Sequence, residues 1–208
     1  MGTNTAKKKE SVRRILDAAA KIFAEAGYGG ARVDEIAACA GVNKAMIYYH
    51  IGDKKALYAR VLHDVFGDTA DRLATSIKTA GTPVEKIQAY VRSLARTFDR
   101  HPHLPPIMMR EVASGGLNFP EIVAGDLAAI INLLTKVLQE GKERGDFTDI
   151  NPLVIHLMVV GGFSFLKTSK PLRTRFSPLA ETVNATPDDD PAYLVGEIEK
   201  LVLRAIRK

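Results

Sequence analysis

Apolar residues recur every three or four positions along most of the chain, and no segment sustains an apolar/polar alternation. That pattern predicts an all-α protein. Val12, Ile15, Leu16, Ala19, Ile22, Phe23 and Ala26 make one stripe and predict a first helix from about Ser11 to Ala26. Gly27 should end it, with Gly29 and Gly30 extending the loop. A long helix from about Lys54 towards Thr79 carries Leu57, Tyr58, Val61, Leu62, Val65 and Phe66 near one face. Thr82 and Pro83 then read as the cap and first residue of another, which ends near His101-Pro102. A shorter helix spans roughly Pro105 to Ser114, before Gly115-Gly116. Pro120 opens the next, closed near Gly145, and Asn151-Pro152 opens an apolar one that reaches about Ser169. Pro171 to Pro191 reads as a loop containing the run Asp188-Asp189-Asp190. The last helix, about Ala192 to Arg207, aligns Leu194, Val195, Ile198, Leu201, Val202 and Ala205.

Residues 33–52 carry a sharper pattern. Ala37, Gly41 and Ile47 fall at positions 5, 9 and 15 of a helix-turn-helix beginning at Val33. A small Ala37 lets two helices approach. Gly41 supplies a turn where positive φ is cheap only without a Cβ. Ile47 packs the second helix onto the first, and Asn43 is a good cap for it. Lys44, Ala45, Met46, Tyr48, Tyr49 and His50 are then left facing outward, a geometry suited to a DNA major groove. Counting this unit, about nine helices are expected: three at the N-terminus for DNA, in residues 1–53 with a basic arm, and about six in residues 54–208.

Charge strengthens that reading. The net charge is +5, and residues 1–58 hold 10 Lys and Arg against 6 Asp and Glu. The positive excess therefore accompanies the helix-turn-helix, as a polyanionic partner requires. The single Cys39 excludes an internal disulfide and any multi-cysteine metal site, and it reads as a small, partly buried residue. The first residues are polar and basic, and the most apolar stretch, Leu153 to Leu166, is shorter than the ~20 residues a bilayer needs. No membrane partner and a cytoplasmic location are expected.

Residues 13–58 resemble the DNA-binding domain of the TetR family of bacterial transcriptional regulators. The resemblance rests on Arg14-Ile15-Leu16-Asp17-Ala18-Ala19, Phe23-Ala24-Glu25-Ala26-Gly27-Tyr28, Ile36-Ala37, Ala40-Gly41-Val42 and Ile47-Tyr48-Tyr49-His50, followed by Lys54 and Leu57-Tyr58. Glu140-Gly141 through Gly145-Asp146-Phe147 is similar, more loosely, to regulatory domains of that family. The resemblance implies an all-helical homodimer paired through its last two helices. It also implies a C-terminal domain that binds a small molecule, which releases the protein from a palindromic operator. It assigns phosphate contacts to Tyr48, His50 and Lys54. Arg32 departs from the hydroxyl residue usual before the first helix of the unit. It cannot cap that helix as a hydroxyl does, so it is read as a phosphate contact. Met46, Ile51 and Lys55 depart too, which suggests an operator of its own.

Lys44, Ala45, Met46 and Tyr49 are the candidates for base readout: Lys44 towards guanine O6 or N7, Ala45 and Met46 against thymine methyls. Tyr49 meets either a base edge or a sugar. Lys7-Lys8-Lys9 either adds affinity for DNA or is a plain tail. For the effector, expected to be partly apolar, soft side chains on the central helices are the candidates: Phe66, Phe98, Met108, Met109 and Phe163, with Phe119 and Phe165 nearby. Glu111 orients a polar group or pairs with Arg110. Gly161-Gly162 permits close helix packing or leaves room for a ligand. No catalytic motif, no metal site and no cofactor are expected. His101-Pro102-His103 reads as a loop pair, and the aspartate run as a solvated loop. The competing reading is a helical small-molecule-binding protein or enzyme without DNA-binding activity.

Overall fold

The computed structural model describes residues 2–175 and 191–208, and these hold ten helices. They are α1 (Gly2–Gly30), α2 (Val33–Ala40), α3 (Lys44–His50), α4 (Lys54–Thr79), α5 (Pro83–Arg100), α6 (Leu104–Ala113), α7 (Glu121–Glu143), α8 (Pro152–Thr168), α9 (Lys170–Arg175) and α10 (Pro191–Ile206). The described residues form no strand, only an isolated bridge between Phe147 and Arg207. Among them no helix is long and apolar enough to cross a membrane.

The helical class and most boundaries match the sequence pattern, with three corrections. First, α1 begins at Gly2 instead of about Ser11. Its first turns lack an apolar stripe, but Ala, Lys and Glu are good helix formers. They are also tied by local pairs: Ser11 Oγ donates to the Lys7 carbonyl at 3.0 Å, and Arg13 pairs with Glu10 at 2.7 Å. Gly27 does break the helical path, at φ 70° and ψ 173°, but the chain resumes helix up to Gly30. Secondly, Lys170–Arg175 is a helix, not loop. Pro171 lies in its first turn, where the missing N–H costs nothing, and Arg173 Nη1 donates to the Leu166 carbonyl at 2.9 Å. The rest of the expected loop, with the aspartate run, lies outside the described residues. Thirdly, Cys39 is exposed instead of partly buried.

Side-chain oxygens cap several helices, Asn43 and Thr82 where the sequence predicts a cap. Asn43 accepts from Ala45 N, Asp53 from Ala56 N and Asn151 from Leu153 N. Thr82 accepts from Glu85 N, and Glu85 accepts in return from Thr82 N, a full capping box.

The chain packs as two compact units. The first comprises residues up to Gly67 together with Pro106–Asp126. Its core buries Ile15, Ala19, Phe23, Ile36, Ile47, Leu57, Tyr58 and Leu62. The Tyr58 ring meets Phe23 edge-on at 4.7 Å and Tyr28 at 5.1 Å. Its hydroxyl donates to the buried Glu111 carboxylate at 2.7 Å. Burial, then that hydrogen bond, pushes the Tyr58 phenol well above its ordinary range, so it stays a donor.

The second unit comprises Asp68–Pro105 and the chain from Leu127 onward. Its core buries Ile87, Tyr90, Val91, Phe98, Ile130, Leu134, Phe147, Ile155, Val159, Phe163, Val202 and Ile206. A buried Glu199 on α10 accepts from Gln88 and from both Arg92 Nε and Nη2 on α5, which ties these helices together.

Candidate nucleic-acid interface

Helix α2 ends where the sequence demands. Gly41 adopts φ 63° and ψ 40°, donates to the Ala38 carbonyl, and lets Val42 N return to the Ala37 carbonyl. Asn43 then starts α3. Ala37, Ala40 and Ile47 are buried, Ile47 completely. With Ile47 inside, Lys44, Ala45, Tyr48 and Tyr49 are left on the outer face of α3.

That face holds the predicted readers. Lys44 and Ala45 are exposed, Tyr48 is 49% and Tyr49 81% exposed, and Met46 and His50 are half-buried. Two large aromatic residues held in water by a buried neighbour suggest a surface meant to be covered. The His50 ring lies 4.8 Å from that of Tyr49, and its Nδ1 is buried without a hydrogen-bond partner. Arg32 is exposed at the entrance to α2, and its side chain makes no cap. Arg32 and Lys55 enter no ion pair among the described residues, so both are free to meet an anion.

Two of the predicted contacts are already engaged. Lys44 Nζ sits 2.8 Å from Asp34 Oδ1 across the turn, and the hydrogen bond to that carboxylate raises the Lys44 ammonium above its usual range. Lys54 Nζ donates to the Gly29 carbonyl at 3.3 Å and lies 4.7 Å over the Tyr28 ring. It thereby ties the start of α4 to the end of α1, besides any phosphate it meets. The Asp34–Lys44 link was missed from sequence. An acid in the first turn of α2 and a base in the first of α3, ten residues apart, would have signalled it.

The candidate ligand residues fall in both units. Phe66, Met108, Met109 and Glu111 belong to the first, Phe98 and Phe163 to the second. Phe98 and Phe163 are buried together, with ring centroids 6.2 Å apart. Phe66 and Met108 are half-buried, and Met109 and Phe165 are exposed. Glu111 accepts from Tyr58 and from the Asn118 N–H, while Arg110 donates to the Ala24 and Glu25 carbonyls at the end of α1. The two do not pair with each other. Gly162 makes ordinary contact with Ile198, and Gly161 faces open space. The described residues contain no cluster of three or more His, Cys, Asp or Glu arranged for a metal.

A family model described as bacterial regulatory proteins, tetR family, matches residues 15–61, and one described as tetracyclin repressor-like, C-terminal domain, matches residues 83–184. The HTH-type transcriptional repressor SCO4008 of Streptomyces coelicolor is 34% identical over 148 residues, 67% of this chain and 68% of that protein. The chain belongs to the TetR family. This TetR-family chain is also similar to the HTH-type transcriptional regulator RutR of Escherichia coli, 25% identical over 206 residues, 98% of the chain and 92% of RutR. Its fold matches that of the regulator FadR from Bacillus subtilis, solved in complex with stearoyl-CoA. There the TM-score is 0.72 at 21% identity, covering 92% and 97% of the two chains. It is a DNA-binding transcriptional regulator, and α2 and α3 are its helix-turn-helix.

Proposed function

We propose that this regulator is a homodimeric repressor that leaves a palindromic operator when a small, partly apolar effector binds. Residues 1–53 read DNA, and residues 54–208 carry the dimer contact and the effector site. The protein is cytoplasmic and has no catalytic role. The observation that carries the reading is the outer face of α3, where Lys44, Ala45, Tyr48 and Tyr49 stand exposed around a fully buried Ile47. Arg32, Tyr48, His50 and Lys54 hold phosphates and fix register; Lys44, Ala45, Met46 and Tyr49 choose bases.

A helix of seven residues spans only a few base pairs, so specificity calls for two copies. The surface of the second unit supports that. Leu153, Val154, Leu157, Met158 and Phe165 stand exposed at helical spacing on α8, and Leu201 on α10. Exposed apolar residues at that spacing suit an interface between protomers. The stearoyl-CoA bound to FadR, a ligand with a long apolar part, supports an effector of that kind.

The test is selection of bound duplexes from random DNA by the full chain. The expected result is an inverted repeat whose half-sites are centred about one helical turn, roughly 34–36 Å, apart. Affinity for it should fall steeply between about 50 and 200 mM salt as counterions are released. Enrichment of a single half-site, or of nothing, would overturn the reading.

A further inference from the structure

We propose that the cleft between α4 and α5 in the second unit is an oxyanion subsite for a small molecule bearing a phosphate or carboxylate, held by the guanidinium groups of Arg96 and Arg100. The cleft measures about 340 Å³ and is lined by Asp71, Arg72, Ser76, Ser93, Arg96 and Arg100. That is room for an anionic group and a small organic body. Arg96 and Arg100 are one helical turn apart on α5, so their side chains share a face.

Neither arginine enters an ion pair among the described residues, although acids stand close by in sequence. Those acids are committed elsewhere. Arg72 pairs with Asp68, Lys167 with Asp99, and Arg92 with the buried Glu199. Asp71 is the one acid in the lining, which leaves the cleft with a positive excess. The Ser93 hydroxyl, on a residue only 9% exposed, and that of Ser76 complete a set of donors. A planar guanidinium matches the two oxygens of a carboxylate or phosphate face, which a lone ammonium does not.

Arg96 also lines a second cleft of about 660 Å³ between α5 and α10, where Ala95, Val195 and Leu203 add apolar wall. This subsite holds or fails independently of the DNA reading, because it needs no DNA.

The test is titration calorimetry of the full chain, without DNA, against inorganic pyrophosphate and against citrate at constant ionic strength. Saturable one-site binding is expected for at least one of them. Pyrophosphate alone assigns the site to phosphate ligands, and citrate alone to carboxylates. Arg96→Gln and Arg100→Gln should each weaken the binding at least tenfold, while Lys136→Ala, at an exposed position on α7, should leave it unchanged. No saturable heat with either anion would overturn the proposal. So would unaltered affinity in both arginine variants, or an equal loss in the lysine variant, which would mark general charge screening. Both arginines are exposed, so their loss leaves the core intact. Operator binding by the same variants should match that of the wild type, which separates a failure here from a failure of the DNA reading.

Discussion

The helix-turn-helix and the second unit are built from the same kind of helix, yet they reveal their purpose differently. In residues 33–52 each functional feature follows from a neighbour. Gly41 turns the chain, Asn43 caps the next helix, and a buried Ile47 leaves Tyr48 and Tyr49 in water. In the second unit the defining contacts join distant residues: Arg92 with Glu199, Gln88 with Glu199, and Tyr90 with His156. A surface that reads DNA can be written locally, because side-chain direction follows from helical phase alone. A site that receives a small molecule depends on how helices far apart in sequence happen to meet.

The largest effect should come from the second unit. On the proposed dimer, Leu201→Glu places a charge among the exposed apolar residues of α8 and α10, and sedimentation should report monomers whose operator affinity has dropped by orders of magnitude. An intact dimer would move the interface elsewhere and weaken the contrast. Next is Gly141→Ala. A Cβ there would lie 2.0 Å from a carbon of the Phe147 ring, which is fully buried and cannot step aside. Urea unfolding should show a loss of about 1–3 kcal/mol, although alanine is the better helix former. Unchanged stability would show that the ring has room to move. In the first unit, Tyr58→Phe keeps the aromatic cluster but leaves the buried Glu111 carboxylate without its hydroxyl donor. About 1–3 kcal/mol should be lost. A neutral result would mean that water replaces the hydroxyl.

These sites also mark how far the sequence carries. Helix phase, caps and the helix-turn-helix were legible, because each rests on residues within a few positions of one another. The early start of α1 was not, since a run such as Lys7-Lys8-Lys9-Glu10 has no apolar stripe to reveal it and rests on helix-forming residues with local ties such as Arg13–Glu10 and Ser11–Lys7. The sequence marks Glu111 as a candidate ligand contact or a partner of Arg110, but its tie to Tyr58 spans 53 positions, and no periodicity encodes such a distance. The same holds for Arg96 and Arg100. Their spacing is visible in the chain, whereas the commitment of the neighbouring acids to Lys167 and Arg92 is a property of the fold.

Acidity probes the second unit more gently. His156 is buried, its Nδ1 lies 2.5 Å from the Tyr90 hydroxyl, and burial holds the imidazole below its ordinary pKa. Burial also pushes the Tyr90 phenol up, so the phenol keeps its proton beside a neutral ring. As pH falls through the usual histidine range near 6.5, the unfolded chain takes up a proton that the folded one refuses. Stability should therefore decline from about pH 6.5 downward until the lower folded pKa is reached, and His156→Gln should flatten that part of the profile. An equal decline in both proteins would assign the proton to another group.

The smallest effect, and the most informative about the DNA face, concerns Asp34. Its carboxylate stands in the first turn of α2, where the helix dipole favours a negative charge by about 0.3–1 kcal/mol, and it holds Lys44 at 2.8 Å. The pair is exposed, so the ion pair itself contributes little. Asp34→Ala should therefore cost only a slight drop in melting temperature. On DNA it removes a negative charge near the phosphates and releases Lys44 to reach a base or a backbone oxygen. Operator affinity should rise by roughly two- to fivefold at low salt, and the gain should shrink as salt is added. Weaker binding would instead mean that Asp34 aims Lys44 into the groove. In that case even the helix-turn-helix depends on a contact ten residues away, and the local character that sets it apart from the second unit would be lost.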